Sequence, residues 1–173
     1  MALIRGFRGK HPAIAGSAFL ADTATVIGDV TIGAHSSVWF GAVVRGDVYH
    51  VRIGAETSIQ DNTVIHVTHD QYATTVGDRV TVGHGVVLHG CTVRDLVIVG
   101  MGSIILDQAD VGERCIVGAG ALVTPGTKIP SGHLVVGAPA RVKRPLTEEE
   151  LEWLSSSAAH YVELTKAYQT DPG

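Results

Sequence analysis

Aliphatic residues recur at every sixth position along most of the chain. A period of six matches neither the 3.6-residue repeat of an α-helix nor the two-residue repeat of a simple strand. It matches a short strand followed by a turn, and we expect the glycines that directly follow many of these positions to supply the positive φ of the turns. The repeated positions, called anchors below, are Ile14, Leu20, Val26, Ile32, Val38, Val44, Ile53, Ile59, Ile65, Val76, Val82, Leu88, Val93, Val99, Ile105, Val111, Val117, Val123, Ile129 and Val135.

Three such units close one triangular coil, and stacked coils form a parallel β-solenoid. The anchors define about 20 units, and three units per coil predict about seven coils spaced about 4.8 Å apart. A β-sandwich would need turn signals every 8–12 residues, and the chain lacks them. The pattern resembles the left-handed β-helix of hexapeptide-repeat proteins. The left hand follows from that resemblance alone, because crossover connections are generally right-handed.

The pattern changes near Pro145, where the six-residue repeat ends. Thr147 followed by Glu150 has the spacing of a helix N-cap with a capping box. Apolar residues then recur at helical spacing, which predicts one amphipathic helix at about 147–168. We therefore expect a β-helix domain at 1–144 and a C-terminal helix at 145–173 packed on the solenoid, with frayed ends at Asp171-Pro172-Gly173.

Composition excludes several classes of partner. The chain has 13 Lys and Arg against 17 Asp and Glu, a net charge of −4, and this mild acidity argues against nucleic-acid or membrane partners. No apolar run reaches the roughly 18 residues of a membrane span, and the first ten residues lack the apolar stretch of a signal peptide. Two cysteines cannot build a disulfide framework, so a cytoplasmic protein is expected.

Two of the nine histidines occupy equivalent positions in the repeat. His66 follows the anchor Ile65 and His89 follows the anchor Leu88, three units later. Arg45 holds the same position three units before His66. Because three units make one coil, these three side chains are predicted to stack in one column on adjacent coils.

A third histidine belongs to a different column. His84 is predicted to stack beside Gln60 and Asp61, out of reach of the first column within one chain. Three neutral imidazoles form the ligand set of a catalytic zinc site with an open fourth position. If subunits pack around a threefold axis, the first column of one chain meets the second column of its neighbour, so the spacing predicts a homotrimer with metal sites at its interfaces.

Several segments resemble the γ-class carbonic anhydrases, and the similarity covers nearly the whole chain. The short bacterial members of this family resemble the chain especially well. The segments that carry the resemblance are Val44-Arg45-Gly46-Asp47, Ile59-Gln60-Asp61-Asn62, Val82-Gly83-His84, Leu88-His89-Gly90-Cys91 and Val99-Gly100-Met101-Gly102-Ser103.

The resemblance implies a trimer in which His66 and His89 of one subunit and His84 of its neighbour bind the metal. It further implies hydration of CO2 to bicarbonate by a metal-bound hydroxide. Zinc is the expected metal because it suits three imidazoles, and iron(II) or cobalt(II) would fit the same ligands.

The family pattern also assigns the remaining candidate site residues. Gln60 matches the family's residue that orients the hydroxide. Arg45 and Asp47 match the positions of a structural ion pair in that family. Asp61 is the expected partner of Arg45 across the interface, and Tyr161 is a further candidate catalytic residue. Pure stabilisation of the trimer is an equal alternative for the three charged residues.

The chain departs from the family pattern where a proton must leave the site. Val48 follows Asp47, where the pattern has Glu, and the connection from His66 to Val76 lacks an acidic loop. His69 is a possible substitute proton carrier, although an ordinary exposed loop residue is the simpler interpretation. His160 precedes Tyr161, where many short members have Asn.

Three other functions remain open at this point. The same metal site could hydrolyse an acyl-CoA thioester. A hexapeptide-repeat acyltransferase would use one histidine as a base without needing three in register. A non-enzymatic protein could keep the metal for assembly alone. The aromatic pair Trp39 and Phe40 is expected to fill the interface between subunits.

Overall fold

Short parallel strands build most of the molecule, whose computed structural model describes residues 1–170. The expected fraying of Asp171-Pro172-Gly173 lies outside the described residues. In chain order the strands are β1 (Leu3–Arg5), β2 (Ala13–Ile14), β3 (Phe19–Leu20), β4 (Thr25–Ile32), β5 (Ser37–Val38), β6 (Val43–Ile53), β7 (Ser58–Ile59), β8 (Val64–His66), β9 (Thr74–Val76), β10 (Thr81–Val82), β11 (Val87–His89), β12 (Thr92–Val93), β13 (Ile98–Val99), β14 (Ile104–Ile105), β15 (Asp110–Val111), β16 (Ile116–Val117), β17 (Leu122–Val123), β18 (Lys128–Ile129), β19 (His133–Val136) and β20 (Arg141–Pro145).

The strands stack in register on three faces. The first face consists of β1, the first halves of β4 and β6, and then β8, β11, β14 and β17. The second consists of β2, the second halves of β4 and β6, and then β9, β12, β15 and β18. The third consists of β3, β5, β7, β10, β13, β16 and β19. The fold is therefore the predicted left-handed parallel β-helix of about seven turns.

The solenoid ends differently from the simple repeat. After β19 the chain turns back, and β20 pairs with β19 in the antiparallel direction. The predicted end of the repeat at Pro145 thus includes one closing strand that is not part of the parallel stack.

Anchor side chains form the core because each unit points one aliphatic residue into the triangular interior. From Val26 to Val117 every anchor is buried, as are the small residues that precede many of them, such as Ala42 and Cys115. Burial of these aliphatic side chains away from water is the main stabilising contribution to such a fold. The side chains of Val, Ile, Ala and Cys fit a narrow interior that large rings would not.

The glycines that follow the anchors serve a different purpose from the expected one. Gly33 and Gly54, which follow anchors, do not adopt positive φ, whereas turn positions such as Asn62 and Glu56 do. A Cβ on Gly33 would lie 2.5 Å from the backbone carbonyl of Gly54 on the next coil. The glycine is therefore required for close stacking of coils, and the expectation that it supplies the turn conformation was wrong.

The C-terminal helix α1 spans Glu148–Thr170. The capping box is confirmed, because the Thr147 backbone N–H donates to the Glu150 carboxylate (2.9 Å) and the Glu150 N–H donates to the Thr147 hydroxyl (3.2 Å). Leu154 of α1 packs with Ile98 and Ile116 of the third face. The helix therefore covers that face, as predicted, although it continues two residues beyond the predicted end.

The division of the chain into domains at 1–144 and 145–173 remains a prediction. Within residues 1–170, no helix has both the length and the apolar character needed to cross a membrane.

Candidate metal centre

His66 and His89 end two neighbouring strands of the first face, β8 and β11, and are register partners. Their ring centroids lie 5.2 Å apart, and His66 Nδ1 lies 3.3 Å from His89 Nε2. The side chains are partly buried, with exposed fractions of 19% for His66 and 32% for His89. The predicted stacking of these two histidines on adjacent coils is therefore observed.

The other nitrogen of each ring faces a carboxylate. His66 Nε2 lies 3.0 Å from Asp47 Oδ1, and His89 Nδ1 lies 2.7 Å from Asp107 Oδ1. Because an ionised carboxylate only accepts hydrogen bonds, these nitrogens carry the protons of the neutral rings. His66 Nδ1 and His89 Nε2 then carry no proton, and their lone pairs face each other.

Two facing lone pairs fit a bound cation. Nitrogens each 2.0–2.1 Å from a tetrahedral zinc ion are separated by about 3.3–3.4 Å. The separation between His66 Nδ1 and His89 Nε2 is 3.3 Å. Without a cation these two nitrogens would repel each other or require an extra proton. Their arrangement therefore suits a bound divalent metal ion.

Asp47 connects His66 to Arg45. The Arg45 guanidinium donates to Asp47 Oδ2, while the other oxygen accepts from His66. Burial disfavours the charged form of Asp47, but hydrogen bonds from His66 and Arg45 together with the Arg45 charge outweigh it and lower the pKa of the carboxyl. Within one chain, therefore, Arg45 pairs with Asp47; the expected partnership of Arg45 with Asp61 across an interface remains a prediction.

His84 lies on another part of the surface, two residues after the end of β10 on the third face. Its Nδ1 is 2.7 Å from Asp61 Oδ2, which leaves Nε2 as the free acceptor, and the side chain is half exposed. The predicted stacking of His84 beside Asp61 is observed. Within residues 1–170, no three His, Cys, Asp or Glu side chains converge on one point, so a single chain does not bring His84 to the other two histidines.

A cavity of about 220 Å³ brings together several predicted site residues beside His84. It lies between α1 and the turns of the solenoid. The residues that line it are Trp39, Phe40, Gln60, Asp61, His84, Tyr161, Leu164 and Tyr168. Gln60 and Tyr161, assigned from distant parts of the sequence, thus share one cavity with His84.

Trp39 occupies a different environment from the expected subunit interface. It is 5% exposed, and its indole N–H lies 3.0 Å from the hydroxyls of both Ser37 and Ser58. Its ring packs against Tyr161 and Tyr168 of α1 in the same chain. The expectation that Trp39 fills an interface was wrong because the terminal helix of its own chain covers it, whereas Phe40 remains partly exposed.

A second cavity, of about 360 Å³, lies beside Asp47. His69 and Val48 line it together with Asp47, and His69 Nε2 lies 3.0 Å from Asp70. The side chain of His69 is mostly exposed. His69 is therefore an exposed residue that shares a cavity with Asp47, and its role as a proton carrier stays a prediction.

Asp107 is the functional-site contact that the sequence analysis did not include. Its position is two residues after the anchor Ile105, one coil beyond His89, so the same register that aligned the histidines places it nearby. No motif distinguishes it from the other aspartates in the turns.

Comparisons with known proteins support the family assignment. No protein-family model matches the chain. A protein named carbonic anhydrase from Geobacillus kaustophilus is 46% identical, and the alignment covers 96% of this chain and 91% of that protein. Gamma carbonic anhydrase 1, mitochondrial, of Arabidopsis thaliana is 47% identical over 94% of this chain, which spans 61% of that longer protein.

A solved structure supports the fold at similar identity. A hexapeptide transferase family protein from Anaplasma phagocytophilum superimposes with a TM-score of 0.92 at 42% identity, covering 96% of this chain and 98% of that one. Its described class differs from the carbonic anhydrases, so the scaffold alone does not distinguish the two activities. The sequence relatives show the family: the chain belongs to the gamma carbonic anhydrase family.

Proposed function

We propose that this protein is a metal-dependent carbonic anhydrase that hydrates CO2 to bicarbonate. In this proposal His66 and His89 of one subunit and His84 of a neighbouring subunit bind the metal in a homotrimer. The observation that carries the proposal is the pair of lone pairs on His66 Nδ1 and His89 Nε2, which face each other at the nitrogen separation of a tetrahedral site. The names of the relatives support the reaction.

When bound by three imidazoles, zinc, iron(II) or cobalt(II) acidifies water and so supplies a nucleophile at neutral pH. The choice among the three metals depends on availability as well as on the ligands. The carboxylates of Asp47, Asp61 and Asp107 each accept a hydrogen bond from one imidazole nitrogen, which leaves the other nitrogen of that ring free to bind the metal.

Gln60 is proposed to orient the reacting oxygen atoms. Its side chain is 4% exposed and lies in the cavity beside His84. An amide can donate through its nitrogen and accept through its oxygen, so it can bind a hydroxyl group in one orientation. Tyr161 lines the same cavity, and the neighbouring rings of Phe40 and Tyr168 provide an apolar wall suited to uncharged CO2.

The proton released in the reaction needs a route to solvent. Val48 cannot carry it, and the Asp47 carboxylate has a lowered pKa because it accepts hydrogen bonds from His66 and Arg45 against the effect of burial. We expect His69, or buffer that enters the cavity of about 360 Å³, to accept the proton.

The homotrimer is supported by the surface next to His66 and His89. The residues directly before the anchors of β8, β11, β14 and β17 form an apolar row on the first face, in which Val64 and Ile104 are 40% and 39% exposed. The second face instead presents polar and charged residues such as Arg52 and Asp110. An apolar stripe beside an incomplete ligand set suits an interface that completes the set.

A cytoplasmic location is proposed because the two cysteines are buried and unpaired.

A hexapeptide-repeat acyltransferase is the second candidate, favoured by the name of the structural relative from Anaplasma phagocytophilum. In that case one histidine would act as a base and activity would not depend on metal. Hydrolysis of an acyl-CoA thioester on the same metal site is a further alternative that would keep the metal dependence.

Stopped-flow CO2 hydration tests the proposal directly. Zinc-loaded and anaerobically iron-loaded wild-type protein is compared with His84→Ala, and metal content is measured on each sample. His133→Ala is the matched control, because His133 lies on the same third face and its Nδ1 hydrogen-bonds the Ser131 carbonyl.

We expect metal-dependent turnover in the wild type and in His133→Ala, and loss of both turnover and metal in His84→Ala. Full metal content in the His84→Ala trimer would contradict the shared site. A fully loaded wild type without turnover would contradict the carbonic anhydrase activity and make an acyl-CoA panel the next assay. Transfer or hydrolysis of an acyl group by metal-free protein would favour the acyltransferase.

A further inference from the structure

Asp107 lies in the turn after β14, one coil beyond His89. Its Oδ1 is 2.7 Å from His89 Nδ1, and its Oδ2 accepts a hydrogen bond from the Thr68 hydroxyl at 2.9 Å. We infer that Asp107 is a positioning residue that fixes the tautomer and ring orientation of His89, so that Nε2 faces the proposed metal. This inference rests on the proposed function, since it requires His89 to be a ligand.

Aspartates at comparable turns of the solenoid have a structural role. Asp78 Oδ1 accepts a hydrogen bond from the backbone N–H of Ala55 at 2.7 Å. Asp95 Oδ1 does the same for the backbone N–H of Asp78 at 2.8 Å. Each caps the backbone of the preceding coil, which is the ordinary use of aspartate in a turn.

Asp107 approaches the preceding coil in the same way but contacts a different group. A Cβ on Gly90 would lie 2.2 Å from Asp107 Oδ1, the same distance found for Gly54 with Asp78 and for Gly77 with Asp95. The Asp107 oxygen is nevertheless hydrogen-bonded to the imidazole of His89. Glycine at position 90, where φ is +58°, therefore leaves room for a carboxylate that serves a side chain.

The second hydrogen bond makes the orientation of the carboxylate specific. Thr68 begins the short loop that returns at Tyr72, where its backbone N–H donates to the Tyr72 carbonyl. Its hydroxyl donates to Oδ2 of Asp107, whereas His89 contacts Oδ1, so both carboxylate oxygens are restrained. A restrained carboxylate can hold the Nδ1–H of a ligand histidine and raise the basicity of Nε2, which strengthens metal binding.

The test compares zinc affinity in the intact protein, measured by competition with a chromophoric chelator. Asp107→Ala removes the acceptor, and we expect the dissociation constant for zinc to rise about 10- to 100-fold. Asp107→Asn keeps an oxygen acceptor without the charge, so a smaller loss is expected. Asp95→Ala is the matched control, because it removes a turn aspartate that caps backbone instead of an imidazole, and its zinc affinity should equal that of the wild type.

Two metal-free measurements separate positioning from folding. The melting temperature of the apoprotein shows whether a variant has lost general stability. The ¹⁵N shifts of the His89 ring report its tautomer, which should be Nδ1–H in the wild type and in Asp95→Ala. In Asp107→Ala we expect a mixture that includes the Nε2–H form, since nothing then favours the proton on Nδ1.

The outcomes are distinguishable. Wild-type affinity and an unchanged His89 tautomer in Asp107→Ala would overturn the inference while leaving the proposed function intact. Equal losses of affinity in Asp107→Ala and Asp95→Ala would also overturn it, because a general turn effect would then explain both. A wild-type protein that binds neither zinc, iron(II) nor cobalt(II) would instead contradict the proposed function itself.

Discussion

Each of the three candidate ligand histidines hydrogen-bonds a carboxylate. The pairs are His66 with Asp47, His89 with Asp107 and His84 with Asp61. Since each carboxylate holds the proton on one ring nitrogen, the lone pair is defined on the other. In the proposed site the three rings would not use the same atom, because His66 would bind through Nδ1 and the other two through Nε2. At the scale of single residues, the neighbouring aspartates thus decide which atom of each histidine can bind a metal.

Two cysteines illustrate the opposite case, in which packing suppresses chemistry. Burial raises the pKa of the Cys91 thiol to about 12 and also raises that of Cys115. Because the thiolate is the reactive form, we expect neither thiol to react with a disulfide reagent at pH 8 in the folded protein. Both should react after unfolding in guanidinium. A thiol that reacts rapidly in the native state would show that the coil around it opens, and Cys91→Ser would identify which one.

At the scale of the coil, glycine determines how closely neighbouring turns can stack. A Cβ on Gly33 would lie 2.5–2.6 Å from the backbone of Gly54 and Ala55, which cannot move independently of their coil. Gly33→Ala should therefore destabilise the protein by about 1–3 kcal/mol. Gly16→Ala is the matched control, because Gly16 has open space around it and no positive φ, so its stability should be unchanged or slightly higher. Urea unfolding measures both; equal stabilities would contradict the stacking argument.

The start of α1 depends on its capping box and on one ion pair. Removing the Thr147 hydroxyl in Thr147→Ala should cost about 1 kcal/mol in urea unfolding. The control is Ser156→Ala. The exposed Ser156 hydroxyl donates to the Trp153 carbonyl within the helix and caps neither helix end. If both variants are equally stable, the cap does not contribute to folding.

The same element gives a prediction on pH. The Arg144 side chain and the Thr147 backbone N–H lower the pKa of Glu150 from 4.5 to about 2. A carboxyl whose pKa is lowered in the folded state stabilises the fold above its unfolded pKa, and this contribution is lost as pH falls from 4.5 towards 2. The difference in melting temperature between wild type and Glu150→Gln should therefore shrink over that range. A constant difference would assign the effect to something other than ionisation.

The six-residue period predicted the elements well because each unit occupies one face, so counting units gives the neighbour on the next coil. That arithmetic correctly aligned His66 with His89 and placed His84 beside Asp61. It could not give the nitrogen used by each ring, which depends on side-chain hydrogen bonds across coils. It also missed Asp107, because turn aspartates look alike in sequence and only its distance to His89 distinguishes it. Trp39 was misassigned because the path of α1 over its own solenoid is set by tertiary packing.

At the scale of the whole molecule, the three faces differ in what they present to solvent. The third face is covered by α1, and the second presents polar side chains such as Thr75 and Lys128. The first face presents an apolar stripe, which we define by its outward side chains Val64, Val87, Ile104 and Leu122. His66 and His89 end two strands of this same face, β8 and β11. The apolar stripe and the incomplete ligand set therefore lie on the same side of the solenoid.

The apolar stripe gives the last prediction. Ile104→Glu places a charge in the middle of this stripe, where desolvation without a partner is unfavourable, so the proposed trimer should dissociate into smaller species in sedimentation experiments. Zinc bound per chain should fall with it, because His84 of the neighbouring subunit would no longer reach the site. Thr75→Glu makes the same change at an outward position of the second face and should leave both mass and zinc content unchanged. An Ile104→Glu protein that remains trimeric with full zinc content would show that the subunits meet elsewhere, and that the third ligand has another origin.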